Sequence, residues 1–173
     1  MDGWLGLLAV AVLITFNAFF VAGEFALVAS DSAKLAAIDS RRSRLVITLM
    51  KRLSFHLSGA QIGITVSALL LGFVAEDAFG ESLAAIPGIN EGATSVAVLS
   101  LLVATVLHMV LGELVPKNLA ITKPEPVASA LSPALVVYGT VAAPVIKSFE
   151  ATANWVVRRL GIEPFGNLHR LRS

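Results

Sequence analysis

Four apolar runs divide the chain and determine its predicted elements. They cover residues 3–23, 57–75, 93–112 and 127–146, about 20 residues each. A helix of about 20 residues rises roughly 30 Å, which is the thickness of the hydrocarbon core of a bilayer. The pattern therefore predicts an all-α protein whose helices span or enter a membrane.

The composition agrees with a membrane protein and argues against several classes of function. The 173 residues are 56% hydrophobic and only 14% charged, whereas soluble domains are nearer 45–50% and about 25%. There is no cysteine, which excludes disulfides, thiolate metal sites and cysteine nucleophiles. No nucleophile–base pair stands at a sensible spacing, so we do not expect an enzyme. No Gly-rich loop joins a strand to a helix, so we expect no nucleotide site, and we expect no nucleic-acid partner.

The connecting segments carry opposite charge, which predicts the orientation. Residues 29–56 hold six Lys or Arg against two Asp, and residues 76–92 hold four acids and no Lys or Arg. Lys and Arg remain on the cytoplasmic side of a plasma membrane. We therefore predict three spans, with the N-terminus and the 76–92 loop outside and the C-terminus in the cytoplasm.

The fourth run is predicted to bend rather than cross. A spanning fourth run would place the basic tail outside, and the run contains Pro133, Gly139 and Pro144, which disfavour a straight helix. We expect a re-entrant segment followed by an interfacial helix over residues 151–160; an ordinary fourth span is the alternative. Within 29–56, helical spacing predicts two short helices on the inner leaflet, and a solvated basic loop is the alternative.

Polar residues recur within the apolar runs, where each is costly and is therefore a functional candidate. Counted at about 1.5 Å per residue, residues on three antiparallel runs fall at a common depth in the cytoplasmic half. These candidates are Asn17, Glu24, Gln61, Thr65, Ser67, His108 and Glu113. Hydroxyls that bond their own helix are the competing explanation for the Ser and Thr residues, and His108 could gate, sense pH or bond a carbonyl.

The chemistry of these side chains points to a hard cation. Carboxylate, amide and hydroxyl oxygens suit Mg²⁺, which takes about six oxygen ligands, whereas Zn²⁺ or Cu⁺ would call for Cys, Met or several His. Gly112 precedes Glu113, and Pro116 follows three residues later, a pattern that predicts a broken helix. A break would free main-chain carbonyls as further ligands beside the Glu113 carboxylate.

Three motifs make the chain resemble a known family. They are residues 17–28 (NAFFVAGEFALV), residues 61–65 (QIGIT) with Gly72 and Glu76, and residues 108–117 (HMVLGELVPK). Together they resemble the membrane domain of the CorC/cyclin-M (CNNM) family, known as DUF21, and the bacterial CorC-like members in particular. The resemblance covers nearly the whole chain, and Glu113 matches the acid of its Gly-Glu-x-x-Pro-Lys motif.

The resemblance implies a homodimeric Mg²⁺ transporter of the inner membrane, associated with efflux and Na⁺ coupling. It implies a three-span domain over residues 1–126, a belt-like juxtamembrane helix within 127–173, and CBS modules beyond in a longer protein. Gly59 and Gly63 form a GxxxG pair that agrees weakly with dimerisation. A Mg²⁺ site of Asn17, Gly112 and Glu113 with Gln61, Thr65 or Ser67 is expected, with Glu24 and His108 in coupling or gating. The alternative function is a Mg²⁺-sensing regulator of another transporter.

Overall fold

A computed structural model describes residues 3–84 and 93–160. The described residues are almost entirely helical and contain no strand. The helices are α1 (Gly3–Ala29), α2 (Ser32–Ile38), α3 (Arg41–Met50), α4 (Leu53–Ala84), α5 (Ala93–Leu107), a π-helical segment (His108–Leu114), α6 (Val115–Thr122), α7 (Pro124–Val141) and α8 (Ala143–Arg159). The prediction of an all-α protein is confirmed.

Three stretches of helix are long and apolar enough to cross a membrane: Trp4–Ala29, Leu53–Gly80 and Ser95–Thr122. They match the first three apolar runs, but each helix is longer than its run. α4 continues through Ala84, so the first half of the segment predicted as an external loop is helical. Residues 85–92 of that segment lie outside the described residues. Which side of the membrane each end faces stays a prediction.

The first two spans pack antiparallel at close range because small residues line their interface. A side-chain carbon on Gly6 would lie 2.7 Å from Cα of Ala78, and one on Gly63 would overlap the ring of Phe20. Phe20 itself is fully buried. These two contacts fix the register of α1 against α4 and bring together the ends where α1 stops and α4 starts, which we call the basic end of the bundle.

The two short helices predicted within 29–56 are present at the basic end. Asp31 caps α2 by accepting a hydrogen bond from the Ala33 N–H, and Ser40 caps α3 by accepting one from the Ser43 N–H. Leu35 and Val46 are fully buried, and they belong to one apolar cluster with residues of α1, α6 and α7. The helices therefore pack against the spans and are not a solvated loop.

The fourth apolar run forms a bent pair of helices, as predicted. α7 and α8 meet at an angle of 75°, which fits a re-entrant segment or a broken span and excludes a straight one. The bend falls at Ala142, beside Pro144 in the first turn of α8, whereas Pro133 lies inside α7 without breaking it. The helix predicted to be interfacial begins at Ala143, eight residues before its predicted start, and its position at the interface stays a prediction. The division into 1–126 and 127–173 stays a prediction.

Candidate cation site

A fully buried asparagine joins the first span to the third. The side-chain Nδ2 of Asn17 donates a hydrogen bond of 2.9 Å to the main-chain carbonyl of Gly112, and Asn17 has no exposed surface. A side-chain carbon on Gly112 would lie 3.3 Å from that nitrogen and 3.1 Å from Cδ2 of His108. Glycine at this position therefore allows the asparagine to reach the main chain.

The carbonyl of Gly112 is available because of the local sequence. In an α-helix it would accept a bond from the N–H of residue 116, but Pro116 has none. The helix widens into a π-helical segment over His108–Leu114, where Val115 N–H bonds the Val110 carbonyl five residues back. The prediction of a broken helix is therefore wrong, because the helix continues through this segment with a wider turn. The main-chain carbonyl that the break was expected to free is nevertheless available, and Asn17 bonds to it.

Two buried polar atoms at this site have no hydrogen-bond partner within the described protein: Oδ1 of Asn17 and Nε2 of His108. The orientation of the amide is fixed, because only its NH₂ group can donate to the Gly112 carbonyl. Oδ1 is therefore an unused acceptor in a low-dielectric interior, where leaving it unpaired costs about 1–3 kcal/mol. Such an atom is suited to a ligand that accepts electron pairs.

Glu113 brings formal charge to the edge of the site. Its Oε1 lies 3.7 Å from Nδ1 of His108, and its side chain is 47% exposed whereas that of His108 is 11% exposed. The wide turn of a π-helix places residues four and five apart on the same side, so Gly112 and Glu113 both flank His108. The segment thus presents a carbonyl, a carboxylate and an imidazole together, with the carboxylate at the accessible edge.

Ser67 lies level with Asn17 across the α1–α4 interface. The contacts of Gly6 with Ala78 and of Phe20 with Gly63 place Asn17 opposite residues 66 and 67 by interpolation along two antiparallel helices. Ser67 is almost fully buried, and its hydroxyl donates to the Gly63 carbonyl at 2.6 Å. Its oxygen keeps acceptor capacity, and of the predicted α4 residues Gln61, Thr65 and Ser67 it is the buried one.

The other predicted site residues do not join this group in the described structure. Gln61 and Thr65 are on an exposed face of α4, in a cavity shared with Phe149 and Glu150 of α8. The Thr65 hydroxyl donates to the Gln61 carbonyl of its own helix, which is the competing explanation for such residues. Glu24 is half-buried near the basic end, two turns of α1 beyond Asn17.

The candidate site contains one imidazole and one carboxylate, which is fewer than the side chains of a histidine or carboxylate cluster. Among residues 3–84 and 93–160, no group of three or more His, Asp or Glu side chains is placed to hold a metal ion.

One polar residue was not predicted from the sequence. Ser100 is fully buried and its Oγ has no partner in the described protein, and a lone hydroxyl in an apolar run gave little signal.

Comparison with known proteins identifies the family of this chain. The family described as "Cyclin M transmembrane N-terminal domain" matches residues 7–171. The chain is 37% identical over 168 residues to uncharacterized protein Rv1841c of Mycobacterium tuberculosis (strain ATCC 25618 / H37Rv), a match that covers 95% of the chain and 49% of that relative. It is 36% identical over 176 residues to UPF0053 protein MT1890 of M. tuberculosis (strain CDC 1551 / Oshkosh), with 96% and 38% covered.

A relative from a second organism matches a similar share of the chain. UPF0053 protein YugS of Bacillus subtilis (strain 168) is 34% identical over 165 residues, which are 91% of the chain and 38% of that protein. The chain therefore spans half or less of the length of these relatives.

Proposed function

The chain belongs to the cyclin M transmembrane N-terminal domain family, and from that premise we propose that it is the membrane domain of a Mg²⁺ transporter. The proposed site consists of Asn17, the Gly112 carbonyl and Glu113, with Ser67 as a further ligand. The proposed direction is efflux coupled to Na⁺, through a multi-pass homodimer of the plasma membrane. Catalysis is not part of the proposal.

The proposal of a Mg²⁺ site rests mainly on one observation. The buried Asn17 donates a hydrogen bond from its NH₂ group to a main-chain carbonyl, and its oxygen has no partner in the described protein. An amide that served only to join two helices would not need an unpaired acceptor in the membrane interior. Three neutral oxygens and one carboxylate suit Mg²⁺, which usually keeps several of its waters and takes one or two carboxylates. Softer metals would require ligands that this site lacks.

The arrangement suggests an order of events for the ion. Glu113 is half-exposed, so its carboxylate can attract a hydrated cation at the edge of the site. Asn17 is fully buried behind it, so the ion reaches the amide oxygen only if α1 and the π-helical segment separate locally. The Asn17–Gly112 hydrogen bond would hold the two elements together until the ion replaces it. His108 stands beside the carboxylate, with its Nδ1 3.7 Å from Oε1 of Glu113.

Flux measured in liposomes tests the proposal. Purified protein would be reconstituted with a Mg²⁺-sensitive dye inside the vesicles, and influx would be followed with Mg²⁺, Ca²⁺ or Zn²⁺ outside, with and without a Na⁺ gradient. We expect Mg²⁺-selective flux that Asn17→Ala abolishes and that Thr15→Ala, an exposed polar position on the same helix, leaves intact. Mg²⁺ binding without any flux would instead favour the regulator, which senses Mg²⁺ and acts on a separate transporter.

A further inference from the structure

A second cavity lies at the basic end of the bundle, away from the candidate cation site. It has a volume of about 310 Å³ and is lined by residues of α3, α4, α7 and α8 and by Arg52, which directly precedes α4. Three of its lining side chains carry nitrogen groups: Arg52, His56 and Lys147. No acidic residue lines it among the residues that the structure describes. The cavity therefore has the electrostatic character of an anion site.

The two cations of this cavity have no carboxylate partner in the described structure. The ion pairs found there join Lys34 to Glu125, Arg44 to Asp39 and His108 to Glu113. The nearest acid along α8 is Glu150, one turn after Lys147, and it accepts a hydrogen bond from Ser54 at 3.5 Å and borders a different cavity. Arg52 and Lys147 thus retain their full donor capacity.

Arg52 and His56 contact the walls of the cavity. The guanidinium carbon of Arg52 lies 4.8 Å from the centre of the Phe55 ring, a cation–π contact that leaves its N–H groups free for an acceptor. A side-chain carbon on Gly139 would lie 3.0 Å from Cε1 of His56, so glycine admits the imidazole against α7. α8 begins at Ala143, another lining residue, so the positive end of its helix dipole faces the same region.

We propose that this cavity binds a phosphate group, and that an anionic phospholipid of the surrounding membrane supplies it. Arg52 and Lys147 would bind the phosphate oxygens, since a guanidinium and an ammonium are the usual protein partners of phosphate. The cavity opens where the second span starts, which is headgroup depth, and basic pockets between membrane helices recognise such headgroups. Val136, another lining residue, offers apolar surface to the glycerol and upper acyl carbons.

A phosphate at this position would connect the cytosolic helix α3, the start of α4 and the bent α7–α8 pair. Lys147 is one turn into α8 and Arg52 directly precedes α4, so one ligand bound to both cations bridges the 75° bend to the second span. The ligand would therefore stabilise the angle of α8 relative to the bundle. This role is independent of the cation site, which uses none of these residues.

Calorimetry on the detergent-solubilised protein tests the assignment with three probes: dihexanoyl phosphatidylglycerol, dihexanoyl phosphatidylcholine and inorganic phosphate. We expect phosphatidylglycerol to bind more tightly than phosphatidylcholine, and the double variant Arg52→Gln, Lys147→Gln to lose roughly tenfold or more of that affinity. The matched double variant Arg42→Gln, Lys123→Gln removes the same charge at exposed positions outside the cavity and should bind normally. Thr140→Glu, which places a carboxylate on the wall, should weaken binding without removing either cation.

The results of these titrations distinguish a phospholipid from a soluble phosphate as the ligand of the cavity. Binding of inorganic phosphate that depends on Arg52 and Lys147, without binding of phosphatidylglycerol, would support the phosphate site and assign it to a soluble ligand. Equal phosphatidylglycerol affinity in the cavity double variant and the matched double variant would overturn the proposal. Normal binding by Thr140→Glu would overturn it as well, because a carboxylate in the cavity must repel a bound phosphate.

Discussion

The amide of Asn17 donates a 2.9 Å hydrogen bond to the carbonyl of Gly112, a residue 95 positions further along the chain. This bond joins the first span to the π-helical segment of the third. It exists because Pro116 cannot supply the N–H that would otherwise bond that carbonyl. The same bond directs the amide oxygen to a place where the described protein offers no donor, so packing and the proposed ion site depend on one residue pair.

The first prediction concerns Gly112→Ala. The added carbon would lie 3.1 Å from Cδ2 of His108 and 3.3 Å from Nδ2 of Asn17, so it should displace the asparagine and lower the free energy of unfolding by about 1–3 kcal/mol. Unfolding in mixed micelles measures this loss. Gly72→Ala is the matched control, because a side-chain carbon there meets nothing within 4 Å. Equal stability of the two variants would show that Gly112 is not in close contact with Asn17.

Glu113→Gln keeps the shape of the side chain and removes its charge. We expect Mg²⁺ flux in liposomes to fall roughly tenfold or more, because the hydrated cation loses the only formal negative charge assigned to the site. Asp77→Asn makes the same change on an exposed acid at the far end of α4 and should retain normal flux. Equal flux in the two variants would remove Glu113 from the site.

The sequence predicted the features that depend on residues close together in the chain. Run length predicted the three spans, charge asymmetry led to the bent fourth run, and the order Gly112, Glu113, Pro116 located the altered turn. It could not show whether the helix would break or widen, because that depends on Asn17 from a distant span supplying the missing hydrogen bond. Nor could it separate Ser67 from Gln61 and Thr65, since the face of α4 that is buried depends on its register against α1.

Gly59 and Gly63 illustrate the same limit. The pair agreed with a dimer interface in the sequence, but within the described structure Gly63 contacts the Phe20 ring, and Gly59 contacts Tyr138 and Ile146. The Gly59 carbonyl also accepts a 2.8 Å hydrogen bond from the Tyr138 hydroxyl. Both glycines therefore pack within one chain and no longer support dimerisation, which stays a prediction from the family.

Gly63→Ala tests this packing. A side-chain carbon at residue 63 would overlap Phe20, whose ring is confined by Tyr138 at a centroid distance of 4.7 Å. We expect the free energy of unfolding to fall by about 1–3 kcal/mol, with the oligomeric state unchanged in light scattering after subtraction of the micelle. Loss of the dimer with normal protomer stability would instead return Gly63 to the interface between chains.

Orientation can be tested directly because the chain has no cysteine. We predict that Asp77→Cys reacts with a membrane-impermeant thiol reagent in intact cells. Ser40→Cys, between α2 and α3 at the basic end, should react only after the cells are permeabilised, since the Lys and Arg residues around it are retained in the cytoplasm. Labelling of Ser40→Cys in intact cells would reverse the proposed topology.

Calorimetric titration of the purified protein with Mg²⁺ tests the central claim, that the Asn17 oxygen binds the transported ion. We expect Asn17→Ala to weaken Mg²⁺ affinity by about tenfold or more. Thr15→Ala, whose exposed hydroxyl bonds only the Ala11 carbonyl of its own helix, should bind like the unmodified protein. If Asn17→Ala, Glu113→Gln and the unmodified protein all bound Mg²⁺ with the same affinity, the proposed site would be wrong.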